Sequence, residues 1–104
     1  MSSKAAEFVV NVQHGSGRKI VTVVDRGILG KRFEEGNRRL DLAAAFYRGT
    51  EQREEEVRRQ AQNADVIHLV GKVSVALGQK ESWIRKGNVL TVQRIPHAQV
   101  LRLG

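Results

Sequence analysis

"EFVVNVQHGSGRKIVTVVD" (Glu7–Asp25) is the stretch whose reading decides the fold. Phe8, Val10 and Val12 recur with a period of two, which puts them on one face of a half-buried strand. "HGSGR" (His14–Arg18) follows with two glycines and a serine, the makings of a flexible hairpin loop. "KIVTVVD" (Lys19–Asp25) is rich in β-branched residues and reads as the returning strand. The chain therefore opens with a β-hairpin.

Working outward, Asp25 is placed to cap a short helical turn through "RGILGK". Phe33 to Leu42 reads as extended chain broken at "EGN" (Glu35–Asn37), a turn signal. "EQREEEVRRQAQNA" (Glu51–Ala64) is the clearest helix. Its acids crowd the first turns, its arginines follow, and Val57, Ala61 and Ala64 form a thin apolar stripe. A helix over residues 51–63 with Thr50 as its cap is expected, its charge run forming a solvated face. "DVIHLV" (Asp65–Val70) reads as a buried strand or as a continuation of that helix. Val73, Ala76 and Leu77 suggest a short helix stopped near Gly78.

"NVLTVQR" (Asn88–Arg94) and "AQVLRL" (Ala98–Leu103) read as a closing hairpin turning at Pro96, whose fixed φ and missing N–H interrupt a ladder. His97 and Gln99 share a face if Ala98 is extended. The expected fold class is α+β, a single two-layer α/β domain with N- and C-terminal β-hairpins. It occupies residues 7–104 behind a flexible N-terminal tail, 1–6.

At 104 residues there is room for one core, and 40% apolar against 28% charged residues argues against global disorder. No apolar run approaches the ~18 residues of a membrane span, and "MSSKAAEF" has no apolar stretch of a secretory leader. The lack of cysteine removes disulfides, thiol catalysis and thiolate metal sites. The expected location is the cytoplasm.

The net charge of +7 is unevenly spread. Residues 50–65 carry five acids against three arginines, while residues 66–104 carry six bases against Glu81 alone. Such a field attracts polyanions, nucleic acid first among them. Phe8 and Phe33 read as core, which leaves too few aromatics for a base-stacking platform. An RNA partner would therefore be held by phosphate contacts. The candidates are Lys31, Arg32, Arg38, Arg39, Lys80, Arg85, Lys86 and Arg94. Trp83, in a basic loop, is either a partner anchor or a lid over the core.

Other chemistries find little support. "DRGILGKR" (Asp25–Arg32) has Asp where a phosphate-binding loop needs its first glycine, and Arg where it needs a metal-binding hydroxyl. "GILG" matches the loop of a KH domain but follows a strand. His14, His68 and His97 lack paired ligand spacing. Glu34 and Glu35, adjacent on a strand, point to opposite faces and make no catalytic pair.

Four elements, "LGKRFEEG" (Leu29–Gly36), "FYRG" (Phe46–Gly49), "HLVG" (His68–Gly71) and "IPHAQ" (Ile95–Gln99), stand in a recognisable order. Together they resemble the archaeal domain-of-unknown-function family number 424 over nearly the whole chain. His68 departs from the asparagine common at that position in the family. The matching residues are Gly30, Lys31, Phe33, Glu35, Gly36, Phe46, Tyr47, Gly49, Gly71, Pro96, His97 and Gln99. The resemblance implies a small α/β domain in an archaeal cytoplasm, associated with translation and without an assigned activity. Glycines then serve backbone geometry and phenylalanines packing, which leaves Lys31, Glu35, Tyr47, His97 and Gln99 as polar candidates for a shared site.

The expected function is that of a non-enzymatic RNA-associated protein bound to the ribosome or a translation complex, with ribosomal RNA or ribosomal proteins as partners. No catalytic residue, cofactor, metal or membrane is expected. The alternatives are a small acid–base enzyme using Lys31, Glu35, Tyr47 and His97, and a protein-binding adaptor using Trp83 and the acidic helix.

Overall fold

The computed structural model describes residues 6–43 and 48–102. Of the expected N-terminal tail only Ala6 lies among them, and Phe46 and Tyr47 lie outside them. Strands β1 (Phe8–Gly15) and β2 (Arg18–Asp25) form the opening hairpin, paired from Phe8↔Asp25 to Gly15↔Arg18. Ser16 (φ 52°) and Gly17 (φ 74°) make the two-residue turn, both left-handed as the right-handed strand twist requires. A single 3-10 turn, Arg26–Ile28, leads to a second hairpin of β3 (Arg32–Glu35) and β4 (Arg38–Asp41).

The chain returns as β5 (Thr50–Gln52), helix α1 (Glu54–Ala61), β6 (Val66–Val70) and helix α2 (Lys72–Lys80). It closes with β7 (Leu90–Val92) and β8 (Ile95–Leu101). The main sheet runs β5-β1-β2-β6-β8-β7. Only β2 and β6 pair in parallel, which requires a crossover between them, and the second hairpin, β5 and α1 lie within that connection.

One face of the sheet carries Phe8, Val10, Val21, Val23, Ile67, Leu69 and Ala98, buried under Val57, Ala61, Val75 and Leu77 of the two helices. On the opposite face the described residues form a second apolar cluster at one end. There Leu40 and Leu42, with Phe33, Ile28 and Leu29, pack on Val24, Val70 and Val92. The α+β domain with hairpins at both ends is thus present, with the β3–β4 hairpin added on the far side of the sheet. Among the described residues, no helix is long and apolar enough to cross a membrane.

Four local expectations change. The helix begins at Glu54, because Thr50–Gln52 pair with Val10–Phe8 as an edge strand. Arg53 takes the cap position, and Glu56 accepts from its backbone N–H at 3.1 Å. α2 continues through Gly78 to Lys80, where the missing side chain lets Leu69 and Ile84 close in. A Cβ there would lie 2.4 Å from Leu69 Cδ1.

The closing turn falls at Gln93 (φ 48°) and Arg94 (φ 66°), not at Pro96. Pro96 lies within β8 opposite Thr91, and its carbonyl turns toward β6, accepting the Gly71 N–H at 2.8 Å. It fits there because its absent N–H is not needed by β7. Asp25, finally, makes no side-chain cap on the 3-10 turn that follows it. Its carboxylate instead accepts from Val73 N (2.9 Å), Ser74 N (2.7 Å) and Ser74 Oγ (2.7 Å), capping α2 from 48 residues away in sequence.

Candidate functional site

Next to the second apolar cluster, the same sheet face bears a row of polar side chains in one register. Asn11 of β1 stands opposite Thr22 of β2, Thr22 beside His68 of β6, and His68 opposite Gln99 of β8. Each strand contributes the residue at the same level, so the row crosses four strands perpendicular to their axes. Apolar levels flank it: Val9, Val24 and Val70 on one side, Ile20, Val66 and Leu101 on the other. Thr22 is buried, Asn11 and His68 are half-buried and Gln99 is exposed.

His97 lies one level along, opposite Val70, on the same face. Its ring meets that of His68 edge-on, with centroids 6.4 Å apart and planes at 74°. Burial lowers the affinity of both imidazoles for protons. The positive charge of His97 lowers His68 further, and that of Arg38 lowers His97. Both rings therefore hold the neutral form more strongly than an ordinary histidine does, and a neutral imidazole has one donor and one acceptor nitrogen. Of the row, Gln99 is exposed and Asn11, His68 and His97 are half-buried, while Thr22, 2% exposed, is closed in by its neighbours. Asn11 Nδ2 already donates to the Arg48 carbonyl at 2.6 Å.

Cations border this row on the β7 side. Arg38 reaches from the second hairpin and donates through Nη1 to the Thr91 carbonyl at 3.0 Å, covering the free edge of β7. Arg94 sits in the exposed β7–β8 turn, and Arg85 in the loop leading into β7. Among the described residues, Lys31, Arg85 and Arg94 have no ion-pair partner. Arg32 meets Asp41 at 3.3 Å, Arg39 meets Glu34 at 3.4 Å and Lys80 meets Glu54 at 3.5 Å, all exposed pairs. The Lys86 side chain lies outside the described residues.

His97 and Gln99 do share a face, now joined by His68, Thr22 and Asn11. Glu35 is at the hairpin tip, where its carboxylate accepts from Gln93 N at 3.0 Å. Four residues of extended chain, roughly 13 Å, separate it from Lys31, so those two side chains are not adjacent. Trp83 packs partly buried against the main core. Asn11 and Thr22 carry no sequence signal of their own. Only the pairing of β2 with β6 brings them level with His68.

Two glycines of the four sequence elements, Gly49 and Gly71, have steric reasons. A Cβ on Gly49 would lie 2.0 Å from the Val10 carbonyl oxygen. Gly71 (φ 108°) leaves space for the Asp25 carboxylate, whose Cγ a Cβ would meet at 2.3 Å.

The family model described as "Protein of unknown function (DUF424)" matches residues 13–103, and the chain belongs to that family. A comparison with curated proteins finds no match. Among solved structures, an uncharacterized conserved protein from Methanopyrus kandleri is similar, with a TM-score of 0.76 and 17% identity. The alignment covers 93% of this chain and 94% of that one. At that identity the likeness concerns the fold.

Proposed function

From this family membership, which supplies no activity, we propose a non-enzymatic, RNA-associated protein of the cytoplasm that docks on the ribosome or a translation complex. One observation carries the reading: Lys31, Arg38, Arg85 and Arg94 have no carboxylate partner among the described residues. Glu54 pairs with Arg58 and Lys80, and Glu81 pairs with Arg58 as well. Arg85, Arg94 and Lys31 meet no carboxylate among the described residues, and Arg38 donates only to a neutral carbonyl. Phosphates supply the counter-charge these groups lack. Gln99, exposed, and His97, half-buried, stand beside them and suit sugar hydroxyls and base edges, which need donors and acceptors rather than charge.

The test is co-sedimentation of the native protein with ribosomal subunits across a salt series, together with binding to purified ribosomal RNA. Four phosphate contacts give a slope of about −3 in log affinity against log salt. The triple variant R38E/R85E/R94E is expected to lose binding at moderate salt while keeping its circular dichroism spectrum. Binding that ignores salt, or none in either assay, would refute the reading.

A further inference from the structure

The two outer strands of the main sheet are guarded by charge. The Arg26 N–H donates to the Glu7 carbonyl, so odd-numbered residues of β1 bond to β2 and Phe8 and Val10 bond to β5. The backbone groups of β5 that face outward are then those of Glu51, whose carboxylate meets Arg26 at 3.1 Å. On β7 the second hairpin supplies the guard. Arg38 donates to the Thr91 carbonyl and Glu35 accepts the Gln93 N–H, each at 3.0 Å.

β8 outlasts β7 and has no such guard. β7 covers Ile95–His97, which leaves Ala98–Leu101 with β6 on one side and no described strand on the other. Two bonds fix the direction of their backbone groups. The Gly71 N–H donates to the Pro96 carbonyl at 2.8 Å, and the Arg102 N–H donates to the Asp65 carbonyl at 2.7 Å. Even-numbered residues of β8 therefore bond to β6, and the N–H and C=O groups of Gln99 and Leu101 point to the open side. Gln99 is exposed and Leu101 is 62% exposed. Ala98–Leu101 carry no charged side chain, and Arg102 turns to the helix layer, donating to the Ala61 carbonyl.

We propose that this bare edge pairs with a second copy of the chain, β8 against β8, antiparallel about a two-fold axis at Val100. Each Gln99 then faces the other copy's Leu101, and the outward N–H and C=O groups of both residues are satisfied in both chains. Val100, partly buried against the main core, meets its own counterpart in a non-hydrogen-bonded pair, with Cα atoms about 4.5 Å apart and side chains in contact. A charged partner finds no counter-charge on this edge. A second copy brings the complementary backbone groups on an uncharged strip, where two chains of net charge +7 approach with least repulsion. β7 stops the pairing at His97, so the contact is short and the dimer weak. The side chains of His97 and Gln99 project from the sheet face rather than its edge, so the dimer stands independently of the RNA reading.

The experiment is sedimentation equilibrium of the full chain from about 10 μM to about 1 mM, the range of a weak association. The mass is expected to rise from 11.6 kDa toward twice that value. Amide hydrogen exchange at Gln99 and Leu101 should slow over the same range. Leu101→Pro deletes an N–H on the open side without touching a bond to β6, and should weaken the dimer at least about tenfold. Leu101→Lys places a cation on the edge of each copy and should weaken it as much. It leaves the backbone as it is, so it decides the matter if Leu101→Pro loses its circular dichroism spectrum. Val73→Ala, which trims an exposed apolar side chain on α2, should leave the association unchanged. A single 11.6 kDa species at the highest concentration would overturn the proposal. So would a dimer that Leu101→Lys leaves intact, or one that Val73→Ala weakens equally.

Discussion

Removing the Asp25 carboxylate tests the longest-range polar link in the fold. Asp25→Ala deprives the first turn of α2 of its acceptor for Val73 N and Ser74 N, a capping loss of about 1 kcal/mol. Ser74 is 0% exposed, so its hydroxyl loses its partner without gaining water, adding about 1–2 kcal/mol. The missing negative charge at the helix N-terminus adds about 0.5 kcal/mol. The sum is about 3 kcal/mol, or a fall in melting temperature of about 12–24 °C for a domain of this size. Asp25→Asn keeps one carbonyl acceptor and should cost about half as much. Urea unfolding followed by Trp83 fluorescence measures these differences, since Trp83 packs on the main core. Because Ser74 and Asp25 act as one unit, Ser74→Ala should cost about 1 kcal/mol less in the Asp25→Ala background than in wild type. An Asp25→Ala loss below about 0.5 kcal/mol, or an additive cycle, would refute the reasoning.

Gly49→Ala should destabilise by more than about 3 kcal/mol, because its Cβ meets a backbone carbonyl of β1 rather than a movable side chain. Gly87→Ala, with nothing within 4 Å of its Cβ, should fall within about 0.5 kcal/mol of wild type in the same unfolding assay. The lowered proton affinities of His68 and His97 give a pH dependence of definite sign. The unfolded chain takes up protons near the ordinary histidine value of about 6.5 while the folded chain resists, so stability falls as pH drops below neutrality. The double variant H68Q/H97Q should flatten the stability profile between about pH 7 and pH 5. An unchanged slope would mean the two rings do not contribute.

Sequence by itself determined what depends on neighbours along the chain. Alternation in Phe8–Val12 and the β-branched run after Lys19 dictate a hairpin, since a period of two places side chains on one face whatever else is nearby. Val57 and Ala61 of the apolar stripe likewise mark the buried side of α1, and Ala64, just past its end, joins the same core. Tertiary structure alone decided the rest. Thr50–Gln52 carries a helix-start signal, yet pairs with β1 because an edge with free N–H and C=O groups is available there. Pro96 reads as a turn residue, but Gln93 and Arg94 turn the chain first and leave Pro96 a strand position that needs no N–H. Asp25 reads as a local cap and serves a helix 48 residues away. "IPHAQ" advertised His97 and Gln99, but the rest of the row, Asn11, Thr22 and His68, is assembled by strand pairings between residues 46 apart at Thr22 and His68. Local periodicity has no knowledge of which strands become neighbours, and a slip of one residue would turn His68 to the opposite face.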